Sequence, residues 1–220
     1  LHQLDYRVCV SDPIRQRLID RGFEPNRLFS IYNGLDFSHV VPKTDRAAYF
    51  AQFGYTVHEG DVIAGIAARL DPVKDIPTLI RAVALAQKAC PQLRLAIAGE
   101  GMERKKLEAL AAELGIADSV FFLGWVNDLD SFYGALDINT LSSLSEAFPY
   151  ALPEGARAHL ATVASNVGGV PAIIEHGVTG LLIEPGDVRM LAAYLARFAL
   201  DADYRQEMGA ALYRRGTAGL

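Results

Sequence analysis

The sequence predicts an α/β fold built on a doubly wound parallel sheet, and two observations lead there. From Asp61 onward, short apolar runs of strand length alternate with stretches of helical periodicity. The runs themselves are almost continuously apolar, as in VIAGIA at 62–67 and LRLAIA at 93–98. Strands covered by helices on both faces read this way, whereas half-exposed antiparallel strands alternate with polar residues. Right-handed crossovers between such strands give a six-stranded, Rossmann-like sheet.

The elements follow in order. Residues 6–11 (YRVCVS) read as a short strand, Asp12-Pro13 opens a helix that Gly22 stops near Arg21, and residues 28–32 (LFSIY) form a second strand closed by Asn33-Gly34. The segment 37–60 is more polar and reads as a connection with one short helix at 47–53. A boundary near residue 40 therefore separates an appendage, 1–40, from a domain at 41–220 whose core is 61–200. In that core the expected strands are 62–67, 93–98, 120–123, 137–141, 161–165 and 180–183. The expected helices are 77–89, 102–114, 129–134, 149–158, 171–175 and 188–200. Residues 204–220 read as a helix with a frayed end. The chain begins at Leu1, and the reading is of a fragment of something longer.

Composition narrows the function classes. Hydrophobic residues make up 51% of the 220, enough for a sizeable core. The net charge is −5 and no block of Lys or Arg stands out, which argues against nucleic acid as the partner. Cys9 and Cys90 have neither metal-ligand spacing nor a disulfide framework, so reduced thiols and a cytoplasmic setting are expected. No apolar run approaches membrane-spanning length. The five histidines, His2, His39, His58, His159 and His176, show no ligand spacing.

In a doubly wound sheet, ligands bind beyond the carboxyl ends of the strands where the strand order reverses. The loops after the first and fourth core strands should flank that point. The first, RLDPVKD, carries Arg69 and Lys74, a planar fork and a mobile point charge suited to a diphosphate. The second runs into SEAFPYALPEG, with Glu146 in the loop and Glu154 in the helix behind it. Pro149 suits the first helical position, which would set Glu154 about a turn and a half in, with Tyr150 on the same face. Free amides at the helix start favour an anion. Two carboxylates around such amides fit a ligand with hydroxyls at both ends and phosphate between, such as a nucleotide-sugar. The alternative is a solvated Glu146 and a Glu154 paired with a neighbouring Arg. Gly99-Glu100-Gly101 lacks the third glycine of a dinucleotide fingerprint, since Arg104 stands there, and reads as a tight strand-to-helix turn lining a pocket. Asp128 and Asp130 have a spacing that can hold a metal, but they sit at a helix start, where Asp caps. Trp125 is either core or pocket wall. Gly168-Gly169 reads as a tight turn packing the helix that follows.

Taken in order, these pieces resemble the carboxyl-terminal half of the family 4 glycosyltransferases, which have the GT-B fold. The matching features are Asn33-Gly34-Leu35-Asp36, the 69–74 loop, Gly99-Glu100-Gly101, Phe122-Leu123-Gly124, Glu146-Ala147-Phe148-Pro149 through Glu154, Gly168-Gly169-Val170-Pro171, and Gly180-Leu181-Leu182 with Pro185-Gly186-Asp187. The resemblance implies a retaining transfer from a nucleotide-diphosphate sugar, with no metal and no further cofactor. It makes Arg69, Lys74 and Glu146 the catalytic residues. Arg69 and Lys74 bind the diphosphate and offset charge growing on the leaving nucleotide, and Glu146 sits beside the donor sugar. It implies that Glu154 holds the ribose, that the backbone around Ala147, Phe148 and Pro149 meets sugar and phosphate oxygens, and that the segment 122–126, including Leu123, Trp125 and Val126, forms the wall against the base. Gly101, Tyr150 and Leu152 complete the expected donor site. Ala68, Asp75 and Ala172 stand where the family usually has glycine, glycine and an acid; Asp75 adds a negative charge beside the clamp.

The same resemblance makes 1–40 the last strand–helix–strand of an acceptor domain plus linker. The acceptor, whether glycan, lipid-linked sugar or small molecule, would bind mainly to the missing part, which could also touch the inner face of a membrane. The isolated chain is then expected to bind donor without turning it over. Other readings are a nucleotide-sugar binding module and a different GT-B reaction such as sugar-nucleotide epimerisation.

Overall fold

The structure, a computed structural model, describes residues 5–218. His2 and the end of the expected tail, Gly219 and Leu220, lie outside the described residues. The strands fall into two parallel sheets. In the smaller, β1 (Arg7–Cys9) pairs with β2 (Leu28–Ser30), and α1 (Asp12–Asp20) connects them. In the larger, the strands are β3 (Val62–Ala67), β4 (Leu93–Ala98), β5 (Val120–Gly124), β6 (Ile138–Leu141), β7 (Ala161–Ser165) and β8 (Leu181–Ile183), in the spatial order β5-β4-β3-β6-β7-β8. Every pairing is parallel. The chain winds outward from β3 to one edge, returns to the middle at β6, and winds outward to the other. The order therefore reverses between β3 and β6, as the two-loop reading requires.

The helices are α2 (Arg46–Ala51), α3 (Ile76–Ala86), α4 (Arg104–Glu113), α5 (Leu129–Gly134), α6 (Ala151–Arg157), α7 (Val170–Ile173), α8 (Val188–Leu200) and α9 (Ala202–Thr217). Asp45, Asp128, Asp187 and Asp201 each accept a hydrogen bond from a first-turn amide and so fix the starts of α2, α5, α8 and α9. One sheet face buries Ile66, Leu95 and Val163 with Leu79 and Val83 of α3 and Leu195 and Phe198 of α8. The other buries Ile63 and Phe121 with Phe50, Phe132 and Tyr133. A third cluster joins Leu141, Leu152 and Ile173 to Phe148, with Tyr32 and Phe37 from the first 40 residues packed on it.

Two helices start later than expected. α6 begins at Ala151, so Pro149 does not occupy the first helical position and Glu154 lies only one turn in, as the fourth residue. The reason is Pro153, which has no N–H to give the Pro149 carbonyl; the first four-residue-back bond runs from Glu154 N to Tyr150 O, 3.0 Å. α4 begins at Arg104 rather than 102, and the Glu103 amide before it donates to the Leu70 carbonyl, 3.0 Å.

Candidate active site at the reversal of the sheet

The loop leaving β3 turns through a short 3-10 segment, Pro72–Lys74, and enters α3 at Asp75, which is left-handed at φ 44°. The loop leaving β6 lies against it. The Leu144 amide donates to the Val73 carbonyl, 2.8 Å, and the Ser142 hydroxyl donates to the Lys74 carbonyl, 2.8 Å. These bonds lock the two loops at the reversal point and set Lys74 over Glu146.

Lys74 Nζ and Glu146 Oε1 are 2.6 Å apart, and the Ser143 hydroxyl donates to the same oxygen, also at 2.6 Å. Both charged side chains are mostly buried, so the geometry allows a much stronger interaction than an exposed pair. Arg69 differs. Its side chain is 75% exposed and pairs with Asp71 at 2.9 Å. One cation of the expected clamp is thus ordered against Glu146 and the other is held by an acid that the sequence reading passed over.

Beside this pair lies a cleft of about 290 Å³. Arg69, Lys74, Trp125, Val126, Pro149, Tyr150 and Glu154 all line it. Its floor is made of small residues from the carboxyl ends of β3 and β4, Ala67, Ala68, Ala98 and Gly99. Gly99 has φ 143°, and a Cβ there would stand 1.9 Å from the Ala68 carbonyl oxygen. Only glycine lets the two strand ends come so close. Trp125, the sole tryptophan, is 71% exposed and is a wall rather than core; its indole N–H donates to Asn127, 2.9 Å. With Val126 it also borders a second hollow that includes Tyr49, Asn127 and Asp128.

Glu154 does not pair with an Arg. It accepts a hydrogen bond from the Tyr133 hydroxyl, 2.9 Å. Burial raises the Glu154 pKa despite that bond. Burial, then the neighbouring carboxylate, pushes the fully buried Tyr133 well above the usual tyrosine range.

Several expected donor residues do not line the cleft. Leu123, Phe148 and Leu152 are buried side chains in the second and third clusters. Gly101 packs on Leu70, where a Cβ would approach the carbonyl oxygen to 2.3 Å. Glu146 is turned into its bond with Lys74, and Ala147 lies at the back of the loop, its carbonyl taking the Ser11 hydroxyl at 3.1 Å. Gly168-Gly169 does more than pack the following helix. A Cβ on Gly168, at φ 53°, would stand 1.6 Å from the Glu146 carbonyl oxygen, and one on Gly169 2.2 Å from that of Ala147. The two glycines let the β7 loop press directly on the glutamate loop. Glu100 lines the cleft, as the reading of Gly99-Glu100-Gly101 expects, and cleft residues that the sequence reading missed include Leu129, Leu141 and Ala151. Leu141 ends β6, so the carboxyl-end rule that found Arg69 would have found it too.

Asp128 caps α5 through the Ser131 amide, 3.0 Å, and Asp130 pairs with Arg157 at 2.6 Å and with His39 at 3.3 Å. Among the described residues no three His, Cys, Asp or Glu side chains are grouped as metal ligands. No helix of the described residues is long and apolar enough to cross a membrane.

An all-parallel doubly wound sheet in this strand order, with a cleft at the reversal, is the Rossmann-like architecture of the carboxyl-terminal domains of GT-B glycosyltransferases. Residues 50–215 match the family of glycosyl transferases group 1. The chain belongs to that family. It is 32% identical over 199 residues to a D-inositol 3-phosphate glycosyltransferase of Streptomyces scabiei, covering 86% of this chain and 44% of that protein. It is 27% identical over 231 residues to an N-acetyl-alpha-D-glucosaminyl L-malate synthase of Bacillus anthracis, covering 95% of this chain and 60% of that one. Among solved structures, Anabaena Alr3699/HepE in complex with UDP and glucose superposes with a TM-score of 0.87 at 26% identity, over 97% of this chain and 59% of that one. The carboxyl-terminal domain of the group 1 protein LpcC from Francisella tularensis superposes at 0.74 with 25% identity, over 84% of this chain and 98% of that domain. The chain therefore spans about half the length of the curated relatives it matches.

Proposed function

We propose that this chain is the donor-binding half of a retaining family 4 glycosyltransferase, which moves a sugar from a nucleotide-diphosphate sugar to an acceptor hydroxyl without a metal ion. One observation carries the reading: a single cleft at the sheet reversal is lined by two cations from the β3 loop and by a carboxylate one turn into α6. That set matches the two kinds of polar group on a nucleoside diphosphate, its phosphates and its ribose hydroxyls. Likeness to Alr3699/HepE, solved with UDP, with UDP and glucose, and with UDP-glucose, supports a uridine nucleotide as the first ligand to try.

In this reading Arg69 gives up its contact with Asp71, and the diphosphate takes the place of one of the Lys74 contacts. The bond from the sugar's anomeric carbon to the diphosphate breaks as the bond to the acceptor oxygen forms, and the acceptor's proton leaves with the nucleotide or to solvent. Arg69 and Lys74 offset the charge that grows on the diphosphate. Glu146, released from Lys74, faces the sugar. Glu154 accepts from the ribose hydroxyls, and the base lies along Trp125 and Val126. Residues 1–40 belong to the acceptor domain that binds the glycan, lipid-linked sugar or small-molecule acceptor, and 41–220 to the donor domain. A cytoplasmic setting suits the buried free thiols Cys9 and Cys90.

Calorimetric titration with UDP and with uridine tests the reading. A charge-assisted hydrogen bond contributes about 1.5–3 kcal/mol, so Arg69→Ala or Lys74→Ala should lower UDP affinity by about one to two decades and leave uridine nearly unchanged. Arg69→Lys should not restore full affinity, since a point charge cannot replace the planar fork. UDP binding that survives both alanine variants would show that the cleft does not hold a diphosphate.

A further inference from the structure

At the opposite edge of the large sheet lies a hollow of about 390 Å³ that the donor reading does not use. Asp137 immediately precedes β6 and Leu160 immediately precedes β7, so the hollow sits at the amino-terminal ends of these strands. The donor cleft is at their carboxyl ends, about 15 Å away across strands of four to five residues.

Three cations border the hollow: Lys43, Arg46 and Arg205. His159 borders it too, and Asp137 is its carboxylate. That carboxylate is already engaged on both oxygens. Oδ1 accepts from Arg46 Nη2 at 2.6 Å, and Oδ2 accepts from the Ile63 amide at 2.9 Å. Asp61, nearby in the chain fold through its carbonyl bond to Arg46, pairs its own carboxylate with Arg94 at 2.9 Å. Lys43 reaches only the Leu136 carbonyl, at 3.5 Å, and Arg205 donates to the Phe198 carbonyl. Neither has a carboxylate partner. A chain of net charge −5 thus gathers three cations around one hollow and neutralises one of them.

The backbone brings these groups together by deliberate close packing. α6 ends in a Schellman turn, with Leu160 N bonded to Gly155 O and His159 N to Ala156 O. The left-handed position of that turn, where glycine is usual, is His159 at φ 55°. Its ring stacks on Tyr213 at 4.0 Å, which holds the imidazole at the rim. α9 presses on the same turn through Gly209, where a Cβ would stand 2.0 Å from the His159 carbonyl oxygen. This contact sets Arg205, one turn earlier on α9, over the hollow. Desolvation holds Lys43 below the usual lysine range, with Arg46 and Arg205 adding to it and the Asp137 carboxylate partly opposing it, and burial and Lys43 lower His159. The local field is that of an unbalanced cationic group, which a dianion would offset.

We propose that this hollow is a binding site for a phosphate dianion, free or as a phosphate monoester, held by Lys43, Arg205 and His159 and separate from the donor cleft. The volume exceeds that of a phosphate group and leaves room for an attached polyol.

The test uses the full chain and inorganic phosphate as the probe, with the His159 imidazole signals read by NMR. Phosphate should move those signals saturably, with a Kd of about 1 mM, and should raise the His159 titration midpoint by roughly half a pH unit or more, as a neighbouring anion does. Lys43→Gln and Arg205→Gln should each weaken the response about tenfold, and the change Arg69→Ala should leave it intact because that residue faces the other edge. A thermal midpoint within about 2 °C of wild type shows that each variant is folded. Glucose 1-phosphate that binds tenfold tighter than phosphate assigns the site to a phosphate monoester; equal binding assigns it to the free ion. No saturable His159 response in the wild type, a response that neither glutamine variant changes, or an equal response to neutral glucose overturns the proposal. Failure of UDP to bind leaves this site untouched, since the two sites share no residue.

Discussion

Burial of the Glu154 carboxyl beside the Tyr133 hydroxyl couples both stability and ligand affinity to pH. The folded-state pKa lies above the unfolded value, so the folded chain holds the extra proton. The stability from this group is fully present below the unfolded carboxyl range, near about pH 4.3, and is lost as pH rises through the raised value. Glu154→Gln removes that loss. Thermal midpoints taken against pH should show the variant above wild type at pH 7–8 and the gap closing toward pH 4. Binding should run the other way. If the carboxylate accepts from ribose hydroxyls, the ratio of wild-type to variant UDP affinity rises with pH across the same window to about tenfold, the ionisation of the UDP phosphate being common to both. A variant that binds UDP as well as wild type would remove Glu154 from the site.

At the scale of elements, glycine and aspartate in left-handed positions decide how the site loops sit. Gly168 and Gly177 both have positive φ, but a Cβ on Gly168 meets the Glu146 carbonyl oxygen at 1.6 Å while one on Gly177 meets nothing within 4 Å. Gly177→Ala should therefore cost about 1 kcal/mol, the left-handed penalty alone. Gly168→Ala should cost about 3 kcal/mol or more, since the glutamate loop must move as well. Denaturant midpoints compare the two, and similar losses would show that the β7 loop does not brace Glu146. Asp75 stands at φ 44° where the family usually has glycine. The position suits glycine for a conformational reason, so Asp75→Gly should stabilise the chain by about 0.5–1 kcal/mol. Unchanged or lower stability would mean that the Asp75 side chain contributes something the backbone argument omits.

At the scale of the whole molecule, the small β1–β2 sheet is held to the large one through the glutamate loop. Tyr32 meets Phe148 edge-on, with ring centroids 6.2 Å apart, and Ser11 donates to Ala147. The side that carries Glu146 toward the cleft thus carries the contact to the first 40 residues on its back. Phe148→Ala should cost about 3 kcal/mol or more and should speed proteolytic cleavage between residues 33 and 40. Cleavage there at the wild-type rate would place the junction elsewhere.

The strands, the direction of the sheet and the address of the cleft are legible in the order of residues. Apolar runs at 62–67, 93–98 and 161–165 match β3, β4 and β7 residue for residue, because burial on both faces keeps them nearly continuous, with only Arg94, Thr162 and Ser165 polar. Parallel pairing then follows from the intervening helices, and the reversal point from winding both ways out of the middle. Which charges meet depends on the folded chain. Lys74 and Glu146 are 72 positions apart, and nothing local in either loop says that Ser142 and Leu144 will stitch the two together. Tyr133 lies 21 positions before Glu154, and only the folded chain brings its hydroxyl to that carboxylate. Asp71 occupies Arg69. Local propensity and periodicity record what a residue does to its own backbone and to the nearest layer of core. Pairing between side chains from distant loops depends on the distances left when the whole sheet has closed, and no periodicity carries that information.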